Sequence, residues 1–197
     1  MAQTTDWIVL AVTALTGGAA GAFITQFIQR RITRFLRPRL SLVFQSDVDG
    51  CDVPVPPTQR FFRLKVINNG RSVAENVNVS ITRLTFTPEG ESAARTFQEE
   101  VLDLQVSLTG DYPFRLPTES HRFMDVCYFS QPYESIDIGF AFRKPPSRLL
   151  TYGFGAGSYS AQLLASADDA DSKRAEIKWV WDGTLDGACI VGLGRMG

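Results

Sequence analysis

Three carboxylates share one short loop, in the order Asp47-Val-Asp49-Gly50-Cys51-Asp52. Hard cations such as Ca²⁺ prefer clustered carboxylate oxygens, so Asp47, Asp49 and Asp52 are the candidate metal ligands of the chain. The spacing differs from that of an EF-hand, and no terminal bidentate glutamate is evident. We therefore interpret the loop as a solvated turn and predict no cofactor.

Nucleophilic catalysis would depend on the one histidine, His121, and on the cysteines, which are Cys51, Cys127 and Cys189. On an extended strand His121 and Cys127 lie roughly 20 Å apart, whereas a nucleophile and its base need contact near ~3 Å. Cys51 or Cys189 could reach His121 only through the fold. We therefore expect His121 to be a solvent-exposed residue at the start of a strand, and we predict that the chain is not an enzyme.

The cysteines are odd in number and show no CxxC spacing, which argues against a zinc site or a disulfide framework, although one bridge plus one free thiol stays open.

Two further patterns have simple structural interpretations. The glycine-rich segment 153–157 precedes a strand pattern rather than a helix, which favours a hairpin loop over a phosphate loop. Asp168, Asp169 and Asp171 are expected to cap a hairpin.

From Arg39 onward, apolar residues alternate with polar ones, as in half-buried β-strands. The longest alternating sets are Phe62-Leu64-Val66, Val77-Val79-Ile81, Leu102-Leu104-Val106, Ile136-Ile138-Phe140-Phe142, Tyr159-Ala161-Leu163-Ala165 and Ile177-Trp179-Trp181. No helical stretch separates them. Eight or nine short strands with turns between them predict an all-β, antiparallel two-layer sandwich, with a barrel as the second choice.

Four local features refine this prediction. The residues from Asn68 to Arg71 form a strong turn signal, and the shift of apolar parity after Ile81 predicts a bulge near Thr82 and Arg83. In the strand 121–130 the alternation puts Met124, Val126 and Tyr128 on one face and His121, Phe123, Asp125 and Cys127 on the other. The proline-containing segments 45–60 and 107–120 are expected to be long loops.

The segment RLKVINNGRSVAENVNVSI resembles the strand-turn-strand signature of bacterial immunoglobulin-like domains of the CARDB type. The matching positions are Val66, Asn68, Gly70, Ala74, Val77 and Val79. A later segment, GAGSYSAQLLASA, is similar to another strand of such domains through Gly157 and Tyr159. The resemblance implies an immunoglobulin-like β-sandwich that acts as an adhesion or scaffold module and has no catalytic residues.

The N-terminal part differs in composition from the rest of the chain. Residues 7–28 are 22 consecutive residues without a charge, and as a helix they would span roughly 33 Å, the thickness of a bilayer core. The alternative is a buried helix of a soluble domain. We predict a transmembrane helix with a basic, amphipathic juxtamembrane extension over residues 7–37, after a short tail 1–6. The sandwich would follow at 38–183, and 184–197 would be a tail or a last edge strand.

Arginines follow this segment and none precede it: Arg30, Arg31, Arg34, Arg37 and Arg39. Residues 1–39 carry five basic and one acidic side chain, net +4, whereas the remaining 158 residues carry 15 basic and 20 acidic, net −5. The positive-inside rule then predicts an external N-terminus and a cytoplasmic β-domain at the inner membrane of a bacterium. The same arginines are suited to anionic headgroups, and the acidic domain is unsuited to nucleic acid.

Gly17 and Gly21 are spaced as a small-xxx-small pair, which predicts a possible homodimer through the membrane helix. We interpret the chain as a single-pass, non-catalytic binding or scaffold module that recruits an unidentified partner protein. Two alternatives stay open. One is an enzyme or small-ligand sensor with its site in the segments 45–60 and 107–120, and the other is an extracytoplasmic adhesion module with inverted topology.

Overall fold

A computed structural model describes residues 35–55, 58–97, 102–107, 113–130, 137–140 and 154–195. The chain divides into two units, Met1–Arg37 and Pro38–Gly197, and the fold below is that of the second unit. The predicted membrane segment 7–28, together with Gly17, Gly21, Arg30, Arg31 and Arg34, lies outside the described residues. None of the helical residues that the structure describes forms a segment long and apolar enough to cross a membrane.

Thirteen strands are present within the described residues. They are β1 (Leu40–Val43), β2 (Asp52–Val55), β3 (Gln59–Asn68), β4 (Ala74–Pro88), β5 (Arg95–Phe97), β6 (Leu102–Asp103), β7 (Gln105–Val106), β8 (Phe114–Leu116), β9 (His121–Ser130), β10 (Asp137–Phe140), β11 (Gly157–Ala167), β12 (Ala170–Trp181) and β13 (Cys189–Arg195).

The strands form two antiparallel sheets. Sheet 1 has the order β1-β3-β9-β10, with β2 also paired to β3 and β7 also paired to β9. Sheet 2 has the order β13-β12-β11-β4-β5, with β6 and β8 also paired to β4. The predicted all-β antiparallel architecture is therefore confirmed.

The inner faces of the two sheets meet in an aromatic core. Phe129 of sheet 1 lies 5.3 Å from Trp181 of sheet 2, measured between ring centroids. Phe44, which follows β1, lies 6.3 Å from Trp179, and Trp179 stacks on Tyr159 at 5.2 Å. Each fully buried ring stabilises the fold by roughly 1.5–3 kcal/mol, so this contact layer holds the sheets face to face. Trp179 and Trp181 are both buried in this core.

The turn predicted after Asn68 is confirmed, and it carries the chain from sheet 1 into sheet 2. Asn68 is fully buried and all of its amide atoms are bonded. Its Oδ1 accepts hydrogen bonds from the backbone N–H groups of Arg39 and Gly70, at 3.1 and 2.9 Å. Its Nδ2 donates to the carbonyl oxygens of Ser72 and Leu116, at 2.8 and 3.1 Å. One side chain thus replaces the ladder hydrogen bonds that are missing where the strands part.

Among the register shifts in the described sheets, one in β4 and one in β9 determine which residues face the core. Arg83 pairs with Gln162 and Ile81 with Leu163, so Thr82 is the extra residue of β4 and the predicted bulge is confirmed. A second bulge lies in β9, where Phe62 pairs with Cys127 and Arg63 with Asp125, leaving Val126 as the extra residue.

The bulge in β9 makes the predicted faces of this strand wrong beyond Val126. Cys127 and Phe129 point into the core together with Met124, and all three are fully buried. Tyr128 is turned to the outer face, where it contacts Phe61. A bulge shifts the two-residue period by one, so each residue after it changes face.

The proline-containing segments hold more structure than predicted. The segment 45–60 contains the edge strand β2, which includes Pro54, and the segment 107–120 contains β8. The alternation around Leu104 was interpreted as one strand, but β6 pairs with sheet 2 and β7 with sheet 1. Leu104 lies at the crossing and its N–H donates to the carbonyl oxygen of Val79 at 2.9 Å.

Candidate functional site

The outer face of sheet 1 carries a group of half-buried aromatic and cationic side chains, which we name the aromatic face: Phe61, Arg63 and Lys65 from β3, and Phe123 and Tyr128 from β9. The rings of Phe61 and Tyr128 lie 5.9 Å apart. The guanidinium carbon of Arg63 lies 5.3 Å from the Phe61 ring centroid, and Nζ of Lys65 lies 5.6 Å from that of Phe123. Cations at this distance are attracted by the ring quadrupole, which fixes the rings and the cations together.

A buried ion pair positions the centre of the aromatic face. Nε of Arg63 donates to Oδ1 of Asp125 at 2.9 Å, and the hydroxyl of Ser107 donates to the same oxygen at 2.5 Å. The side chains of Arg63 and Asp125 are only 16% and 14% exposed, so this contact is less screened than a surface pair. The pair ties β3, β9 and the end of β7 into one rigid patch.

The loop between β1 and β2 covers one end of the aromatic face. Gly50 has a φ of +82°, and a Cβ at this position would overlap the Phe123 ring. A glycine is needed here both for the left-handed backbone and for the close approach of the ring. His121 contacts Phe123 from the other side, edge to face, with centroids 5.4 Å apart. Phe61 pairs with Val53 of β2, the strand that follows this loop, and with Tyr128 of β9.

The outer face of sheet 2 is different in character, because it is lined with polar side chains. Its central group is Glu176, which accepts a 2.6 Å hydrogen bond from the hydroxyl of Ser160 and lies 3.1 Å from Nζ of Lys178. The bond from Ser160 and the charge of Lys178 lower the pKa of Glu176 below its ordinary value. Sheet 2 therefore presents a mainly polar outer surface, in which Oδ1 of Asn78 and Nε of Arg83 are buried without a hydrogen-bond partner among the described residues, whereas sheet 1 presents aromatic rings.

The three candidate metal ligands are not brought together. Asp52 forms a bidentate pair with Arg60, at 2.8 and 2.6 Å, and this contact raises the pKa of Arg60. Asp47 and Asp49 are exposed in the loop before β2. Across the residues that the structure describes, no group of three or more metal-ligating side chains is present.

Arg60 also closes one end of the sandwich. Its Nη1 donates to the carbonyl oxygens of Leu185 and Asp186, at 2.8 and 3.2 Å. This arginine of sheet 1 therefore holds the segment that leads into β13 of sheet 2. The carboxylate of Asp52 serves this structural contact.

The nucleophile candidates differ in their burial. His121 is exposed at the start of β9, as expected. Cys127 is buried in the core, where burial raises its thiol pKa well above the ordinary value. Cys51 is also buried, with a raised pKa, while Cys189 is exposed on β13, and all three are free thiols. A raised pKa reduces the thiolate fraction, so the two buried cysteines are poor nucleophiles.

The remaining predicted groups occupy simple positions. Asp168 and Asp169 form the turn between β11 and β12, as predicted, whereas Asp171 lies within β12. Of the arginine group, Arg37 and Arg39 are described, and both are exposed next to the start of the sandwich.

The aromatic face was not predicted from the sequence. Because of the bulge at Val126, Tyr128 lies on the opposite face from Met124 and Val126, with which the alternation grouped it. The outward position of Phe61 could have been predicted from the sequence. In the alternation along β3, Phe61 falls on the same face as Arg63 and Lys65 and not on the face of the core residues. A phenylalanine on the polar parity of a strand is the signal that could have indicated this surface.

Comparison with known proteins adds no relative: no protein-family model matches the chain, and no curated protein matches its sequence. Function must therefore be argued from the site itself.

Proposed function

We propose that the chain is a single-pass membrane protein whose β-sandwich is an immunoglobulin-like, non-catalytic binding module that recruits a partner protein beside the inner surface of the membrane. The observation that carries the binding role is the aromatic face. Aromatic residues and arginine are enriched at protein interfaces and dominate their binding energy. Phe61, Tyr128 and Arg63 are held in place before any partner arrives, which lowers the ordering cost of association.

The strand order supports the immunoglobulin-like assignment. Such domains place strands A, B, E and D in one sheet and C, F and G in the other. Here β1-β3-β9-β7 would correspond to A-B-E-D and β4-β11-β12 to C-F-G. In this scheme β10 and β13 are additional edge strands, and β5 lies where a strand C′ would follow C.

A second support is the contact of Tyr159 near the start of β11. Its hydroxyl donates to the carbonyl oxygen of Gly155, four residues upstream, at 2.5 Å. Immunoglobulin-like domains carry such a tyrosine corner at the start of strand F, which is the place of β11 in this scheme. Burial raises the pKa of the Tyr159 phenol, so the hydroxyl stays protonated and donates at any physiological pH.

The burial of the matching positions gives a physical reason for the resemblance to CARDB-type domains. All six matching positions, Val66, Asn68, Gly70, Ala74, Val77 and Val79, are buried. They line the passage from β3 to β4, where Asn68 bonds four backbone groups. The pattern therefore marks a corner that the fold itself requires, and a catalytic role for these residues is not needed to explain it.

The membrane part of the proposal is supported by the 22 uncharged residues of 7–28 and by the arginines that follow them. This arrangement would tether the β-sandwich to the membrane. Partners would then be other membrane-associated proteins or proteins drawn to the cytoplasmic surface.

The test is co-purification of the full-length chain from its native membrane after crosslinking. The double variant Phe61→Ser, Tyr128→Ser removes the two rings of the aromatic face. The matched control is Leu164→Ser, which removes a half-buried apolar side chain from the outer face of sheet 2. We expect a partner that is recovered with the wild type and with the control, and whose recovery falls at least ~10-fold with the double variant. Equal recovery with all three proteins would reject the aromatic face as the binding surface.

A further inference from the structure

The corner between β3 and β4 contains an asparagine that is followed directly by a glycine. The chain has four asparagines, at positions 68, 69, 76 and 78, and Asn69-Gly70 is its one asparagine–glycine pair. Glycine has no Cβ, so its backbone nitrogen is little hindered. Asn76 and Asn78 each precede a valine, whose branched side chain crowds its own backbone nitrogen. A reaction between an asparagine side chain and the next backbone nitrogen is therefore most favourable at Asn69.

The reaction of such a pair is deamidation. The backbone nitrogen of Gly70 attacks Cγ of Asn69 and forms a C–N bond, while the bond from Cγ to Nδ2 breaks. Ammonia leaves with the proton that the Gly70 nitrogen loses. The cyclic succinimide then takes up a water molecule from the solvent, and the ring opens to an aspartate or to an isoaspartate, in which the main chain runs through the former side chain.

The structure leaves the side chain of Asn69 open to water but restrains the nucleophile. Asn69 is exposed, whereas Gly70 is buried. The backbone N–H of Gly70 donates to Oδ1 of Asn68 at 2.9 Å. This bond keeps the proton on the nitrogen, whereas attack requires the proton to leave and the nitrogen to lie about 3–3.5 Å from Cγ. Asn68 is itself fixed, because it is fully buried and its other hydrogen bonds also join backbone groups.

Two further hydrogen bonds hold Asn69 itself. Its Nδ2 donates to the hydroxyl of Ser41 at 2.7 Å, and its backbone N–H donates to the carbonyl oxygen of Arg39 at 2.9 Å. Ring closure turns Cγ toward the main chain and expels Nδ2, so the contact with Ser41 is lost. That contact is exposed to water and therefore restrains the side chain only weakly. The buried bond from Gly70 to Asn68 is the stronger restraint.

We propose that Asn69 is a site of spontaneous deamidation, which Asn68 blocks in the folded protein and which reacts when the corner between β3 and β4 opens. The rate of deamidation then follows the fraction of molecules in which the bond from Gly70 to Asn68 is broken. The isoaspartate product has an additional main-chain carbon, which displaces Gly70 from Asn68 and prevents the corner from re-forming. The modification thus accumulates in chains whose corner has opened. It does not depend on the aromatic face or its partner.

The first test compares the full-length chain, in a non-ionic detergent, with and without enough urea to unfold it, at one pH and temperature. Ion-exchange chromatography separates the product by its added negative charge, and peptide mass spectrometry assigns the position. We expect deamidation of Asn69 to be at least ~10-fold slower in the folded protein than in urea. The control Asn69→Gln lengthens the side chain and disfavours ring closure, so the product should be absent. Equal rates with and without urea would overturn the proposal, as would the same product from Asn69→Gln.

Two alanine variants separate the restraints in the folded state. Asn68→Ala removes the acceptor of the Gly70 N–H and should accelerate deamidation at least ~10-fold. Ser41→Ala removes only the exposed contact of the Asn69 side chain and should accelerate it less than ~3-fold. Circular dichroism identifies the conditions in which both variants are folded. An equal or larger effect of Ser41→Ala would reject Asn68 as the blocking residue.

Hydrogen exchange gives a test that does not depend on the folding of Asn68→Ala. In the wild type, exchange of the Gly70 amide hydrogen, followed by NMR, measures how often its bond to Asn68 opens. At urea concentrations below the unfolding transition, the rates of exchange at Gly70 and of deamidation at Asn69 should rise in parallel. If the Gly70 amide exchanges freely in the native protein while deamidation follows only global unfolding, measured by tryptophan fluorescence, the bond to Asn68 is not the block and the proposal fails.

Discussion

At the scale of single residues, Asn68 organises the corner between β3 and β4. It is the one asparagine that is completely buried among the described residues, and its side chain makes four hydrogen bonds to backbone groups. These bonds satisfy polar groups at the point where β3 leaves sheet 1 and the chain crosses to β4. The neighbouring Asn69 is exposed and makes one side-chain contact, to the hydroxyl of Ser41 at 2.7 Å. The two adjacent asparagines therefore contribute very differently to the fold.

We expect Asn68→Ala to lower the free energy of unfolding by about 2–4 kcal/mol, because several buried backbone groups lose their partners. Asn69→Ala is the matched control and should cost less than ~1 kcal/mol, because its partner is exposed to water. Urea denaturation of the full-length protein, followed by tryptophan fluorescence, measures both values. Similar losses for the two variants would show that the buried amide does not organise the corner.

At the scale of secondary-structure elements, alternation predicted most strands and failed where the backbone departs from a simple ladder. The bulge at Thr82 was predictable, because the strand segments before and after it each have apolar residues at every second position and the two series are out of step. The bulge at Val126 was not, because every residue from Val126 to Phe129 is either apolar or aromatic and the pattern fits both registers. Around Leu104 the chain passes from sheet 2 to sheet 1. The sequence alternation does not show this passage, because Leu102, Leu104 and Val106 are all buried.

The aromatic face was not predicted because the bulge in β9 was not predicted. A polar or catalytic site leaves residue types that stand out in a sequence, whereas an aromatic binding surface uses the same residues as a core. Register decides between the two, and register depends on bulges that pair residues distant in sequence. Tyr128 is the clearest case, since its assignment changed with the single extra residue Val126.

The start of β11 provides a prediction at this scale. Gly157 has a φ of +152°, and a Cβ there would overlap the carbonyl oxygen of Thr87 on β4. Gly157→Ala should therefore displace β11 from β4 and destabilise the protein by more than ~1 kcal/mol. At Gly155, which is two residues earlier, a Cβ would meet no atom within 4 Å, and Gly155→Ala should be tolerated. Thermal unfolding of the two variants gives the comparison, and equal melting temperatures would show that the contact with Thr87 relaxes freely.

At the scale of the whole molecule, charge is distributed unequally along the chain. Residues 1–39 carry net +4 and the remaining residues carry net −5. An uncharged segment followed by arginines would orient the protein with its acidic domain in the cytoplasm. The cysteines offer a direct measure of this orientation, because Cys189 is exposed while Cys51 and Cys127 are buried.

We expect a membrane-impermeant maleimide to label Cys189 only after the inner membrane of spheroplasts is permeabilised. Cys189→Ser should abolish labelling of the folded protein, which verifies that the two buried thiols do not react. Replacing Arg30, Arg31 and Arg34 with glutamine removes the charges that favour the cytoplasmic side, so part of the population should invert and become labelled from outside. Replacement of the same residues with lysine keeps the charge and should keep the orientation. Labelling of wild-type Cys189 in intact spheroplasts would reverse the proposed topology and place the aromatic face on the external side.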